Sequence, residues 1–291
     1  MQFDAYLMVD WSANSGPKRG KDSIWSCVAA WEGARLRVGT PVNRPTRLGA
    51  MEAIARRLKT MVAQGRSVLV GFDFPYAYPR GLACALGLEG EPWRAIWNEL
   101  SRIILDDQPR WVNNRFEVAA ALNRRLRGRG PFWGCPASAQ RPALRMTKGR
   151  MPCGALEEFR KVERRLRGPK SGWQLFYNGS AGSQALLGIP LLARLRDDPA
   201  LSGVSRVWPF ETGPRLPPRV PGRPRVVHAE VYPSFTTAIP GPGEPRDSAQ
   251  VRTLVRHFAA RDRSGQLDAD FAAPACAGDA WREEGWILGA R

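Results

Sequence analysis

Two segments of this 291-residue chain end an apolar run in a carboxylate: YLMVD closes on Asp10 and SVLVGFD closes on Asp73. A third acid, Glu230, stands inside VVHAEVY, where a buried strand would carry an apolar side chain. Burying an isolated carboxylate costs about several kcal/mol, so such groups neutralise, pair with a cation or bind metal. If the strands ending in Asp10 and Asp73 are neighbours, the two acids meet and a divalent cation is the expected relief. Oxygen-only ligands suit Mg²⁺ or Mn²⁺ rather than zinc. Two such ions about 4 Å apart, bridged by a carboxylate, activate a water and stabilise the leaving oxygen of a phosphodiester. The competing reading makes Asp10 and Asp73 structural acids capping the turns that follow them and pairs Glu230 with His228 or an arginine. His228 lies two positions from Glu230 on the same strand face, placed to assist a water, whereas His257 falls mid-helix and reads as half-buried structure.

These acids need a frame. AYLMVD (5–10), SIWSCVAAW (23–31) and ARLRV (34–38) read as three strands in succession, the first two joined by SANSGPKRGKD, which has the composition of a hairpin loop. Thr46 offers an N-cap, and Leu48, Met51, Ala55, Leu58 and Val62 recur at helical spacing until Gly65. SVLVGFDFP (67–75) follows as a buried strand, so the opening order is β-β-β-α-β. The middle differs in texture, with helices predicted at 93–107, 114–127 and 156–167. Strand character returns at 204–210 and 225–232, and DSAQVRTLVRHFAARD (247–262) is an amphipathic helix. The expected fold is α/β: a mixed sheet flanked by helices, in one domain over 1–291, interrupted by a basic and mostly helical insertion at about 76–204.

Lys and Arg number 44 against 27 Asp and Glu, a net charge of +17. A balance that basic points to a polyanionic partner, most often nucleic acid. Residues 110–170 hold 16 Lys and Arg against four acids, Glu117, Glu157, Glu158 and Glu163. A uniform codon bias toward arginine would not concentrate charge in that way. Trp111, Phe116, Phe132, Trp133 and Phe159 are interleaved there and could stack on bases. The basic side chains taken as phosphate contacts are Lys18 and Lys21 in the first hairpin and Arg124, Arg125, Arg127, Arg129, Arg164 and Arg165 in the middle. The five cysteines are widely spaced with no C-x-x-C pair, which argues against a disulfide framework or zinc knuckle. No apolar run reaches the roughly 18 residues of a membrane span and no basic leader precedes Asp4, so the expected location is the cytoplasm.

The opening order and its acids resemble the ribonuclease H-like superfamily, and more narrowly an uncharacterised family of predicted RNase H-like nucleases. The resemblance rests on YLMVDWS (6–12), VLVGFDFPYAYPRG (68–81), HAEVYPS (228–234), DSAQVRTL (247–254) and EEGWILG (283–289). It covers the two ends of the chain, roughly 150 residues, and leaves the basic middle unmatched. It implies a Mg²⁺- or Mn²⁺-dependent hydrolase of nucleic acid in which Asp10, Asp73 and Glu230 are ligands and a fourth acid comes from the last helix. Asp247 is the candidate for that fourth acid, with an N-cap as its competing role and with Glu211 or Glu52 as substitutes. Two other readings stay open: a nucleic-acid-binding scaffold with inert acids, and a phosphotransferase of the actin and sugar-kinase type, for which the Gly-rich phosphate turn is missing.

Overall fold

The structure, a computed structural model, describes residues 1–107, 112–126, 130–149, 156–177 and 180–291. Its strands are β1 (Ala5–Asp10), β2 (Ile24–Glu32), β3 (Arg35–Val38), β4 (Val42–Arg44), β5 (Val68–Phe72), β6 (Asp106–Asp107), β7 (Val112–Asn113), β8 (Ser205–Val207) and β9 (Val226–Glu230). Its helices are α1 (Arg47–Ala63), α2 (Leu82–Ala85), α3 (Pro92–Ile103), α4 (Arg115–Arg125), α5 (Ala181–Arg196), α6 (Arg246–Arg263), α7 (Leu267–Asp270) and α8 (Trp281–Glu284). The chain divides into two compact units. The first comprises Met1–Asp73, Arg194–Pro274 and Trp286–Arg291; the second comprises Phe74–Ala193 and Ala275–Gly285.

The first unit is built on a mixed seven-stranded sheet in the order β3-β2-β1-β5-β9-β8, with β4 pairing beside β3 on the long strand β2. β1 and β2 are antiparallel, whereas β1, β5, β9 and β8 run parallel. All five residues of β5 and of β9 are buried, as are the first five of β1. Parallel strands covered on both faces carry near-continuous apolar runs, which is why these segments read so plainly in the sequence. Gly71 marks a close approach: a Cβ there would stand 2.5 Å from Met8 Sδ and 2.7 Å from Val231 Cγ1. α1 starts at the expected cap, with the Thr46 hydroxyl accepting from the Gly49 backbone N–H. α6 packs Val251, Leu254, Val255 and Phe258 inward against β1 and β2. β4 falls in a stretch with no alternation of its own and was absent from the expected order.

The second unit is held by aromatic packing. Tyr78 stacks on Trp173 with centroids 4.9 Å apart, and Phe132 meets Trp173 edge-on at 5.0 Å. The helix predicted at 156–167 does not form; the described segment is irregular apart from a single 3₁₀ turn at Glu163–Arg165. The reason is a buried ionic cluster. Arg160 and Glu163 are 1% and 3% exposed and form an ion pair at 2.8 Å. The Arg160 and Lys161 backbone N–H groups are taken by the carboxylates of Glu163 and Glu284, donors that a helix would have used for itself. Conversely, α5 forms although Gly182, Gly188 and Pro190 interrupt it. Its Leu186, Leu187, Ile189, Leu192 and Leu195 are at most 2% exposed, and burial overrides weak propensity. A Cβ at Gly188 would lie 2.7 Å from the Phe74 ring, so the glycine is what lets the helix pack there. No helix among the described residues is long and apolar enough to cross a membrane.

Candidate carboxylate site

β1 and β5 run parallel with Val9 beside Phe72, so the next residue of each chain places Asp10 beside Asp73. Both are half-buried. The Trp11 backbone N–H donates to Asp73 Oδ1 at 2.8 Å, which ties the two strand ends together. Burial first, then the charges of Asp73, Asp247 and Asp22, hold the Asp10 carboxyl well above the usual carboxylate range. Burial also lifts Asp73, to about 7; hydrogen bonds from the Trp11 N–H and its own N–H pull it down, while Asp247 and Glu230 push it up. Among the described residues, no Lys, Arg or His lies within ion-pair distance of Asp10, Asp73 or Asp247. Asp262, buried and, among the described residues, also without a cation, is satisfied instead by the Gln2 and Phe3 N–H groups and the Tyr6 hydroxyl, and other acids of this unit are paired. Glu211 is held by Arg196, Glu244 by Arg252, Asp270 by Arg261 and Asp4 by Arg219, in a chain with 17 more cations than acids.

Asp247 enters from the first turn of α6, where its Oδ2 accepts from the backbone N–H of Asp22 at 2.7 Å. Asp22 itself has φ +55°, in the left-handed region that non-glycine residues seldom adopt. Sequence reasoning missed Asp22 and also Arg47, the first residue of α1. Arg47 is buried and donates to the carbonyls of Asn14 at 2.7 Å and Ser12 at 3.3 Å. With Ser12 bonding the Asp22 carbonyl, these contacts pin the first hairpin loop next to the acids. The only signal in the sequence was the density of Ser, Asn and Asp in that loop. Lys18 is in the same loop, 3.6 Å from Asp22 Oδ2, and Lys21 is exposed.

Glu230 sits differently. Its ladder partner is Phe72, not Asp73, and laterally paired residues share a face while successive ones alternate. Glu230 therefore shares the face of Phe72 and His228, opposite to that of Asp10 and Asp73, and acts on Asp73 through its charge. His228 is fully buried, meets Ser205 Oγ at 3.2 Å and is pushed down to about 3, first by burial and then by Arg196. A neutral imidazole so enclosed is not placed to assist a water. His257 is half-buried on α6, as expected. Of the substitute acids, Glu211 is committed to Arg196 and to the Val207 N–H, and Glu52 is exposed on α1; neither is among the charges that act on Asp10 or Asp73.

The chain matches no family model, no curated protein and no solved structure. The site must be judged on its own chemistry. Its donors are all carboxylate oxygens, which fit Mg²⁺ or Mn²⁺ in kind. In spacing they are open: among the described residues, no three His, Cys, Asp or Glu side chains stand close enough to enclose a metal ion. The parallel ladder accounts for Glu230 alone, which it turns to the face opposite that of Asp10 and Asp73.

In the second unit the basic candidates separate by what they touch. Arg125 is committed to structure, ion-paired with Glu99 and donating to the Leu86 carbonyl at 2.8 Å. Arg164 pairs with Glu157 at 3.3 Å, and Arg165 is exposed on the same turn. Arg124 is exposed, while Arg127 and Arg129, like Trp111, lie outside the described residues. Phe132 belongs to the core, Trp133 and Phe159 are half-buried, and Phe116 lies under the Arg115 guanidinium at 4.4 Å.

Proposed function

We propose that this chain is a metal-dependent phosphodiesterase acting on nucleic acid, on an RNase H-like frame. The observation that carries this is the Asp10–Asp73 pair: two half-buried carboxylates at the ends of adjacent parallel strands, both resisting ionisation, with no cationic side chain beside them. Such a pair is relieved by a proton or by a divalent cation. Asp10 and Asp73 are the residues that would hold Mg²⁺ or Mn²⁺, and Asp247 from α6 and Glu230 from the neighbouring strand add negative potential. The bound ion supplies activation of a water and stabilisation of the leaving oxygen. The antiparallel opening strands, followed by α1 and a strand returning parallel to β1, support the resemblance drawn from the sequence. The chain's +17 charge supports a polyanionic substrate.

The test is cleavage of labelled single-stranded and duplex DNA and RNA with Mg²⁺, Mn²⁺ or EDTA. Wild type should cut in either metal and not in EDTA, and Asp10→Asn and Asp73→Asn should each lose cutting while keeping binding. Binding without cutting by the wild type would favour the scaffold reading. Cutting that survives in both variants would remove the carboxylates from the chemistry.

A further inference from the structure

Phe176 and Tyr177, in the second unit, form an aromatic pair on the surface. They are 37% and 48% exposed, with ring centroids 5.0 Å apart at 60°. The rings nominated from the sequence behave otherwise, since Phe132 is buried against Tyr78 and Trp173. The backbone leading into the exposed pair is hydrogen-bonded. The Leu175 N–H donates to the Trp133 carbonyl at 2.9 Å, the Leu175 carbonyl accepts from Ser183 Oγ at 2.6 Å, and Gln174 Nε2 donates to the Phe176 carbonyl at 3.0 Å. Tyr177 has φ +75°, a conformation unfavourable for a side chain as bulky as tyrosine. Positions held against backbone preference cluster at functional sites.

The backbone next to the pair carries a basic residue. The Gly134 N–H donates to the Arg145 carbonyl at 2.9 Å, and a Cβ on Gly134 would lie 3.2 Å from the Phe176 backbone nitrogen. Arg145 thus lies one residue across from the pair. It is exposed and, among the described residues, has no carboxylate partner, whereas Arg141 and Lys148 on the same stretch are paired with Glu117 and Glu158. The Arg145 guanidinium lies over its own loop, 3.7 Å from the position a Cβ on Gly149 would take. Exposed rings on a hydrogen-bonded segment, with an exposed arginine one backbone segment away, suit a chain of unstacked bases with a phosphate backbone.

We propose that Phe176 and Tyr177, with Arg145, form a stacking platform for single-stranded nucleic acid. The proposal takes its ligand class from the function above and deepens it by naming the strand state. Duplex bases are already stacked and offer these rings no free face.

Binding of fluorescent 12-nucleotide single-stranded DNA and RNA, and of a duplex, measured in EDTA by anisotropy, tests it. Phe176→Ala/Tyr177→Ala should weaken single-strand binding about 10- to 100-fold and leave duplex binding unchanged. Tyr177→Phe should keep wild-type affinity. Tyr177→Gly should weaken binding while leaving Tm equal or higher, which a ring retained for packing would not do. Arg145→Ala should flatten the salt dependence by about one phosphate equivalent. Unchanged single-strand affinity in the double alanine variant, or equal loss on duplex, overturns the platform. The same oligonucleotides incubated with Mg²⁺ keep the two readings apart: ring-dependent binding without cleavage defeats the nuclease alone, and cleavage with ring-independent binding defeats the platform alone.

Discussion

Asp10 and Asp73 carry the strongest physical statement in this molecule, because their burial in mutual proximity costs the folded state stability. A carboxylate whose folded pKa is raised stabilises fully below its unfolded value, near 4, and loses that contribution as pH rises through the folded value. For Asp73 the window runs from about 4 to about 7. Asp10→Asn removes the repulsion. In EDTA at pH 8 it should therefore melt about 2–4 °C above wild type, the shift of roughly 1 kcal/mol in a chain of this size. The difference should vanish at pH 4, and Mg²⁺ should stabilise wild type more than the variant. Circular-dichroism melts check this, and a variant that melts lower at pH 8 would show Asp10 to be a structural cap.

At the scale of elements, Glu244 holds the start of α6 and with it the position of Asp247. Its carboxylate accepts from Arg252, from the Gly241 N–H at 2.9 Å and from the Ser248 hydroxyl at 2.7 Å. Arg252 first, then Gly241 and Ser248, pull it down to about 2. A depressed carboxylate stabilises above its unfolded pKa and loses that contribution as pH falls through the folded value. Glu244→Gln should accordingly lower Tm at pH 7 and leave it unchanged near pH 2, measured side by side with wild type. The buried Arg160–Glu163 pair makes a second case. Arg160→Met removes the guanidinium that the 3%-exposed Glu163 pairs with, a loss of about 3–5 kcal/mol that should appear as early melting of the second unit and faster proteolysis of residues 156–177. Melting like wild type would mean that Glu163 is satisfied by other donors.

Across the whole molecule, charge is spread more evenly than the basic middle implies. The second unit carries 20 Lys and Arg against 12 Asp and Glu, net +8, and the first 24 against 15, net +9. Within the second unit, Glu99 takes up Arg102 and Arg125, so a cation count overstates what faces a ligand. Arg124→Ala and Arg125→Ala should therefore diverge. The first should reduce the salt dependence of nucleic-acid binding without altering Tm; the second should lower Tm by a few degrees and leave the salt slope in place. Equal effects on the salt slope would make both arginines ligand contacts.

Much of this was legible in the order of residues. β1, β5 and β9 announced themselves because strands buried on both faces must be apolar throughout, and an acid at the end of such a run stands out against it. Thr46 and Gly65 bracketed α1 for equally local reasons. What the sequence could not decide depended on distant partners. The absent helix at 156–167 follows from Glu163 and Glu284 taking backbone donors, and α5 follows from burial that outweighs its glycines and proline. Whether an acid meets an arginine is likewise a tertiary fact: Glu211 finds Arg196, while Asp10, Asp73 and Asp247 share a site without a cation. Glu230 was visible as a misplaced charge, but only the pairing of β5 with β9 fixed its face, because one residue of register exchanges the two sides of a sheet.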